Sequence, residues 1–270
     1  MARRFLVYLL LILLLGVASS APALGDTTYF VYDQYGGTWQ DANKTWVNDS
    51  QMCWAAAASN VLAWGNWTTP TYNTAQAIFQ DITSNFANQP GWMVNAFNWW
   101  IGNFFPNYSA SGSEYNSSGG NAMATADNLL HKDMGVTLGL HYGSYGHAIT
   151  LWGFSKDALG QYNGVYVTDS DDGAYGLMYD TIAWNGTAWY LTSGLESGWT
   201  INEVEALDAI NSAVLNGGGG GGSTVSSKGH GRPHRGIDEP SDAPIAPSWV
   251  LFGTGLFSLF AMGRRRPGKG

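Results

Sequence analysis

Cysteine is almost absent from this chain of 270 residues, which contains one, Cys53. A single cysteine cannot form an internal disulfide, so in an exported protein it indicates a reactive thiol or an intermolecular bridge. Charge is also scarce, since Asp, Glu, Lys and Arg together make up 12% of the residues and the formal net charge is −8. With no basic cluster in the part predicted to fold, the composition argues against nucleic acid as a partner.

Several catalytic motifs are missing as well. The sequence has no His-Glu-x-x-His zinc motif and no Gly-x-Ser-x-Gly elbow, and no lysine-bearing helix follows its glycine run. We therefore expect neither a bound metal nor an organic cofactor. A calcium loop at residues 169–173 (Asp-Ser-Asp-Asp-Gly) stays open as an alternative, although its glycine falls one position earlier than in an EF-hand.

The N-terminal segment has the pattern of a secretory signal peptide. Residues 1–25 place two arginines before an apolar stretch and end in small residues, which is typical of a cleavage site. An uncleaved anchor helix is the alternative. Hydrophobic residues make up 45% of the chain, and residues 26–216 have the size of one folded domain. We expect this domain to function outside the cytoplasm.

The C-terminal segment consists of a linker and a tail. Residues 217–243 begin with an unbroken glycine run and continue as polar sequence, which is typical of a flexible linker. Residues 244–270 combine a Pro-Ile-Ala-Pro motif, a short apolar run at 249–262 and three arginines. The run is about 21 Å long as a helix, against a hydrocarbon core of about 30 Å.

This tail resembles PEP-CTERM sorting tails. The resemblance implies an exosortase-type processing enzyme as a partner and, first, anchoring in the inner membrane of a Gram-negative bacterium, with the protein exported to the cell surface. The proline motif departs from the usual Pro-Glu-Pro. A plain C-terminal membrane anchor is the alternative.

The folded part reads as helices followed by strands, an α+β pattern. A loop is predicted at 106–120. The first predicted helix is capped at Asp49 or Ser50, carries Cys53 in its first turn and ends at Trp64. The others are residues 74–85, 91–104, 121–134 and a last one at 202–215. The predicted strands are residues 29–32, 136–140, 148–154, 165–168 and 176–184.

Cys53 is a candidate nucleophile. Asp49 and Ser50 are good N-cap residues and an alanine run follows the cysteine, so Cys53 should lie in the first turn of a helix. Free backbone N–H groups and the positive end of the helix dipole favour a thiolate there, and the N–H of Cys53 is a natural oxyanion donor. The alternative is a small buried apolar residue.

A cysteine nucleophile needs a base and a group that orients the base. Of the five histidines, His147 is the best candidate, whereas His141 has no partner in view. A hairpin centred near residue 158 places His147 directly opposite Asp169, with Cβ atoms about 5 Å apart on one face. The carboxylate can then hold one imidazole nitrogen and leave the other for the thiol.

Four sequence blocks resemble the IdeS/Mac family of cysteine endopeptidases, which has a papain-like fold. The resemblance implies Cys53 as nucleophile, His147 as base and Asp169 as its orienting group. It further implies Lys44 as an oxyanion contributor and Asp171 as a supporting carboxylate. The blocks, read from the sequence, are Trp39-Gln-Asp-Ala-Asn-Lys44-Thr-Trp, the Cys53 helix ending Asn60-Val-Leu-Ala-Trp64, His147-Ala-Ile-Thr-Leu-Trp-Gly153, and Val165-Tyr-Val-Thr-Asp169-Ser-Asp171.

The blocks also depart from the family. Trp54 follows the cysteine where those enzymes have glycine, and Lys44 is one residue closer to Cys53. The fold we predict is therefore α+β and papain-like, with Cys53 at a helix N-terminus packed on an antiparallel sheet that carries His147 and Asp169. The predicted function is an exported, surface-tethered cysteine endopeptidase acting on protein or peptide. A thiol-dependent transpeptidase or amidase, and a non-catalytic surface protein with a vestigial triad, are the alternatives.

Overall fold

The computed structural model of the protein describes residues 25–110, 112–116, 120–171 and 175–212, all within a first compact unit that spans Met1–Arg232. The predicted signal segment up to residue 24, the linker at 217–243 and the tail at 244–270 lie outside the described residues. Within the described part, no helix is both long enough and apolar enough to cross a membrane.

Three helices of the first half form close to their predicted positions, namely Cys53–Trp64, Ala75–Asn85 and Met93–Phe104. The short helix Val31–Tyr35 was not predicted, and it begins within the strand expected at 29–32. Thr74 caps α3, because its side chain accepts a hydrogen bond from the N–H of Ala77. The predicted helix at 121–134 ends early, and its last residues enter a strand. The described helices are α1 (Val31–Tyr35), α2 (Cys53–Trp64), α3 (Ala75–Asn85), α4 (Met93–Phe104) and α5 (Ala122–Leu130).

The strands form one antiparallel sheet that closes on itself. Six strands follow one another in the order β4-β3-β8-β7-β6-β5, and β5 pairs back with β4 to complete a barrel. The remaining two pair from outside, β1 with β4 and β2 with β8. The described strands are β1 (Thr27–Phe30), β2 (Ser113–Asn116), β3 (Met134–Tyr142), β4 (Tyr145–Lys156), β5 (Tyr162–Thr168), β6 (Met178–Trp184), β7 (Trp189–Leu191) and β8 (Thr200–Asp208).

The closed barrel contradicts the predicted papain-like α+β fold, in which helices pack on an antiparallel sheet. The long strand β4 explains the closure. Its N-terminal half pairs with β3 and its C-terminal half with β5, and the ladder to β5 is shifted near Trp152. A bulge of this kind bends a strand and increases its twist, so the sheet curls until its ends meet.

Two further predictions are wrong in this region. Residues 202–215 were expected to be helical, but Thr200–Asp208 is strand β8, which pairs with both β3 and β7. The ladder on each side outweighs the helix propensity of its Glu, Ala and Leu residues. The predicted loop at 106–120 contains the short strand β2, which pairs with β8.

Helix α2 packs against the barrel through a run of alanines. Residues 55–58 are all alanine and all buried, which lets the helix backbone approach strand β4 closely. This layer of α2, α3 and α4 has its own apolar cluster, separate from the cluster that joins the barrel strands to α5. Each cluster contains several fully buried aromatic or long aliphatic side chains.

A buried polar network joins α2 to the barrel. The Asn60 side chain donates to Oγ1 of Thr150 on β4 at 3.0 Å and to Oγ1 of Thr168 on β5 at 3.3 Å. Its carbonyl oxygen accepts from the N–H of Ala42 at 2.7 Å, and Thr150 donates to the Ala57 carbonyl at 3.2 Å. Thr168 immediately precedes Asp169, so the network fixes the Cys53 helix relative to the strands that bear His147 and Asp169.

Candidate functional site

Cys53 is the first residue of α2, and its side chain is only partly buried. The predicted cap is wrong in detail, because Met52 occupies the N-cap and no side chain caps the helix. The Asp49 carboxylate instead accepts from the N–H and the hydroxyl of Thr45, at 2.7 and 2.8 Å. Since Cys53 opens the helix, its N–H is one of those without an intrahelical acceptor.

His147 and Asp169 lie on one face of neighbouring strands, but in a different register from the predicted one. Thr150 pairs with Thr168 and Leu151 with Val167, so continuing the ladder sets Asp169 opposite residue 149. The predicted direct opposition of His147 and Asp169 is therefore wrong by two residues. A shift of two keeps both side chains on the same face, and the diagonal pair still makes contact.

This face is the inner face of the barrel. His147 lies directly opposite Leu140 on β3, and Leu140 belongs to the barrel's apolar cluster. Asp169 continues the alternation of Val165 and Val167, which belong to the same cluster. The pair therefore lies where the apolar interior of the barrel ends.

Asp169 binds the imidazole through one oxygen. Its Oδ1 lies 2.8 Å from Nε2 of His147 and accepts from the N–H of Asp171 at 2.9 Å. The Asp169 side chain is fully buried, and its Oδ2 accepts no hydrogen bond from an N–H or hydroxyl group in the described part of the chain. The pKa of Asp169 is lowered, because the bonds to His147 and Asp171 outweigh the effect of burial.

Cys53 interacts with the other side of the same imidazole. Because Asp169 holds Nε2, the Nδ1 atom of His147 remains for the thiol. Burial alone would lower the pKa of His147, yet hydrogen bonds to Asp169 and Cys53, together with their negative charges, hold that pKa well above its ordinary value. The arrangement favours an imidazolium between a carboxylate and a sulfur.

Lys44 and Asp171 form a buried ion pair beside the imidazole. The Lys44 ammonium also donates to the Ser50 carbonyl at 3.1 Å and lies 4.2 Å from the centre of the Trp46 ring. Oδ2 of Asp171 is 3.9 Å from Nδ1 of His147. Both residues singled out by the family resemblance therefore surround the site, and Lys44 acts on Asp171 directly.

Two further neighbours of the site were not predicted from the sequence. Glu196, in the loop between β7 and β8, has a carboxyl oxygen within 4.8 Å of ligand atoms of His147 and Asp169. The Trp199 ring packs edge-on against His147, at 6.2 Å between centroids. Neither residue belongs to a recognisable motif, and a lone glutamate in a Ser-Gly-Leu-Glu-Ser-Gly turn carries no pattern that links it to the histidine.

His147, Asp169 and Glu196 present one candidate ligand atom each, so we tested whether they suit a metal ion. Zinc ligands lie about 2.0–2.2 Å from the ion, so neighbouring ligand atoms stay roughly 3.3 Å apart. Here Nε2 and Oδ1 are already hydrogen-bonded to each other at 2.8 Å. Binding a cation would break that bond in a buried position, so we assign no metal to these residues.

The acidic loop and the second histidine have other roles. The calcium alternative for residues 169–173 draws on two carboxylates that are committed elsewhere, Asp169 to His147 and Asp171 to Lys44. His141 was expected to lack a partner, but its Nε2 lies 3.1 Å from Oε1 of Glu203. That pair joins neighbouring strands β3 and β8, where cross-strand contacts form only in the folded sheet.

No protein-family model matches the chain, and no curated protein matches it either. The IdeS/Mac resemblance and the sorting-tail resemblance therefore stay predictions. The class of site is defined by its geometry alone, as a partly exposed thiol, an imidazole and a buried carboxylate in series.

Proposed function

We propose that this protein is a cysteine-dependent acyl-transfer enzyme, and specifically an endopeptidase that uses Cys53, His147 and Asp169. One observation carries the proposal: a single imidazole contacts the lone sulfur on one side and a buried carboxylate at 2.8 Å on the other. Apolar packing gives no reason to bury such a series, whereas covalent catalysis requires it.

In the proposed reaction the sulfur of Cys53 attacks a peptide carbonyl carbon and forms a tetrahedral intermediate. The imidazolium of His147 gives its Nδ1 proton to the leaving amine, the C–N bond breaks, and a thioester remains. Neutral His147 then takes a proton from water, whose oxygen attacks the thioester carbon. Collapse of this second tetrahedral intermediate breaks the C–S bond, releases the acid and leaves the Cys53 sulfur as a thiolate beside the protonated His147, which restores the site.

The oxyanion of each tetrahedral intermediate needs a hydrogen-bond donor. The N–H of Cys53 supplies one, because it opens helix α2 and points toward the positive end of the helix dipole. Lys44 is the second candidate from the family resemblance. Its ammonium has contacts to Asp171, Ser50 and Trp46, so we propose that it acts mainly by holding Asp171 beside His147.

Peptide hydrolysis is our first choice among acyl transfers because the four sequence blocks resemble endopeptidases. The closed barrel departs from the fold that this resemblance implies, so the choice depends on the site residues. A transpeptidase or amidase would use the same three residues for acyl transfer, whereas a surface protein with a vestigial triad would catalyse no reaction. These alternatives become outcomes of the experiment below.

We further propose that the enzyme is exported and tethered at the cell surface. The proposal depends on the signal-like segment at 1–25 and the sorting-type tail at 244–270 of the sequence. Mass spectrometry of the protein from bacterial cell fractions tests it. An N-terminus at Asp26 in the envelope or medium supports the proposal, and an intact Met1 in the cytosol contradicts it.

The decisive experiment combines thiol labelling with substrate profiling of the full chain. If Cys53 is the nucleophile, it should react rapidly with iodoacetamide near pH 6, far faster than a free thiol. A diverse peptide library should be cut by the natural chain and left intact by Cys53→Ala.

Each alternative gives a different result. Products extended by an added amine, rather than hydrolysed, would identify a transpeptidase. A thiol that labels no faster than a free cysteine, together with equal turnover by Cys53→Ala, would exclude catalysis at this site. A correctly folded Cys53→Ala, shown by an unchanged thermal transition, is the control for both measurements.

A further inference from the structure

One oxygen of the site has no explained role. Oδ2 of Asp169 is buried and accepts no hydrogen bond from an N–H or hydroxyl group among the described residues, while Oδ1 of the same carboxylate accepts two hydrogen bonds. Leaving a buried carboxylate oxygen unbonded is costly, and such atoms are rare in folded proteins. A donor close to Oδ2 is therefore expected.

Glu196 is placed to be that donor. Its side chain is buried, with 8% of the residue exposed, and it belongs to the group whose ligand atoms lie within 4.8 Å of one another with His147 and Asp169. The loop that carries it is held on both sides: Gly198 donates to the Leu191 carbonyl at 2.8 Å and Trp199 to the Glu196 carbonyl at 2.9 Å.

We propose that Glu196 is a positioning residue of this site, whose protonated carboxyl group donates a hydrogen bond to Oδ2 of Asp169 and so fixes the carboxylate that orients His147. The effect of this hydrogen bond on catalysis rests on the proposed function, whereas the hydrogen bond itself does not. The series of groups becomes four, running from the sulfur of Cys53 through the imidazole and the carboxylate to a neutral acid.

The electrostatics support a neutral carboxyl group at this position. Burial, followed by the negative charge of Asp169, raises the pKa of Glu196 to about 8. The positive charge of His147 opposes that shift, and Asp180 on β6 faces the same loop through a bond from Ser193. Because a carboxyl group donates a hydrogen bond only when protonated, Glu196 can serve Asp169 near neutral pH.

A specific pH dependence follows. Above about pH 8 Glu196 ionises, and two carboxylates then face each other without a shared proton. Asp169 loses its donor, and the orientation of His147 becomes less well defined. Activity should therefore fall on the alkaline side, through a group that neither touches the substrate nor contacts the sulfur.

The test compares three variants of the full chain. Glu196→Gln keeps a donor that cannot ionise, whereas Glu196→Leu removes the donor. Glu205→Gln is the matched control, because Glu205 is also a buried glutamate with a raised pKa, but it accepts from the N–H of Val94 at the start of α4. Thermal unfolding confirms that each variant is folded.

Two readouts separate this inference from the proposed function. The first is the pH profile of kcat/KM on a cleaved peptide, where Glu196→Gln should lose the alkaline limb near pH 8. Glu196→Leu should lower the rate at pH 7 by about 10- to 100-fold, far more than Glu196→Gln. The second is the imidazole NMR signals of His147, which should show a step near pH 8 in the natural chain and none in Glu196→Gln.

The outcomes are distinguishable. An alkaline limb or an NMR step that persists in Glu196→Gln, or an unchanged rate in Glu196→Leu, would overturn the role of Glu196. Loss of the step in Glu205→Gln as well would also overturn it, because the effect would then be general. The NMR signals report on Glu196 even if no peptide is ever cleaved, in which case only the proposed function fails.

Discussion

The helical layer and the barrel differ in charge where they meet at the site: the helices are almost uncharged, and the barrel and its loops carry the ionisable side chains. From Cys53 to Phe104, which covers α2, α3 and α4, the only charged residue is Asp81. The barrel and its loops carry His147, Asp169 and Glu196, all next to one another. Cys53, the proposed nucleophile, therefore lies on a neutral, alanine-rich layer, whereas His147, Asp169 and Glu196 lie on the barrel and its loops.

This division explains how a charged cluster can be buried without unfolding the protein. The helices exclude water with small and aromatic side chains, so they add no competing charge near Cys53. The barrel backbone fixes the charged side chains at short distances, where mutual hydrogen bonds replace water. The two regions meet through the Asn60 network, so the site is complete only when they dock in one position.

The largest effect should come from removing the barrel's base. His147→Gln keeps a polar side chain but cannot form an imidazolium, so peptide hydrolysis should fall by about 10³-fold or more. The rate of iodoacetamide labelling of Cys53 near pH 6 should also fall, by a factor of the same order. His131→Gln is the matched control, since His131 bonds Asp127 at the C-terminus of α5. Equal loss in both variants would contradict the assignment.

Next in size is the effect of loosening the junction between the two regions. Asn60→Ala leaves the N–H of Ala42 without its acceptor and removes one donor from each of the Thr150 and Thr168 hydroxyls. We expect a loss of about 2–4 kcal/mol in the free energy of unfolding and of roughly 10²-fold in turnover, because Cys53 shifts relative to His147.

Chemical denaturation and steady-state kinetics on the same samples measure both effects of Asn60→Ala. Asn85→Ala removes an exposed asparagine that bonds only the Asp81 carbonyl of its own helix. It should change neither quantity appreciably. If Asn60→Ala destabilised the protein but left turnover of the folded fraction intact, the network would hold the fold without setting the site.

A smaller effect is expected from the ion pair at the edge of the site. Lys44→Met keeps the length of the side chain but leaves Asp171 without its cation. The freed carboxylate, 3.9 Å from Nδ1 of His147, should then compete with the thiol for the imidazole proton. We expect about a 10-fold lower kcat with little change in KM.

The comparison for Lys44→Met is Lys44→Arg, which keeps the positive charge. Arginine should retain more activity than methionine, because the charge on Asp171 stays neutralised. If both substitutions were equally damaging and raised KM instead of lowering kcat, Lys44 would act on substrate binding and not through Asp171.

The smallest effect concerns the pH dependence of the free energy of unfolding, to which Glu205 on β8 contributes. Burial raises the pKa of Glu205 to about 7 from 4.5. Below pH 4.5 both the folded and the unfolded chain hold the proton; above it the unfolded chain releases the proton first, so stability should fall until about pH 7. Glu205→Gln should remove about 2 kcal/mol of that decline.

Urea unfolding at pH 4.5, 6 and 7.5 measures this slope. Asp33→Asn, at an exposed carboxylate of α1, is the control and should leave the slope as it is. A slope unchanged in Glu205→Gln would show that Glu205 is ionised in the folded protein. Part of the decline toward pH 8 should persist in this variant, because Glu196 contributes to it separately.

Local patterns predicted the elements of the site better than the architecture around them. The helix behind Cys53 and the strands that carry His147 and Val167 form close to their predicted positions. The hairpin register was wrong by two residues, because the hairpin is centred at residue 159 and not 158: Lys156 pairs with Tyr162, and Thr150 pairs with Thr168. An error of two residues leaves each side chain on the same face of the sheet, so the side chains of His147 and Asp169 still meet.

The segment at 200–208 shows why the fold itself escaped prediction. Its composition of Glu, Val, Ala and Leu suits a helix when read alone, but β3 and β7 offer it a ladder on each side. Closure of the barrel depends on such pairings between distant residues. The position of Glu196 near Asp169 depends on them too, because Glu196 lies in the loop that leads into β8. Long-range pairing of this kind is not encoded in any local window.

The sequence by itself determined a lone thiol at the start of a small-residue helix and a histidine and an aspartate on alternating strands, since these follow from residue type and period. The tertiary structure was needed to show that the sheet closes, that Glu196 lies close to His147 and Asp169, and that Asn60 joins the two regions. The physical reason is that side-chain period is a property of neighbouring residues, whereas closure and convergence depend on contacts between residues far apart in the chain.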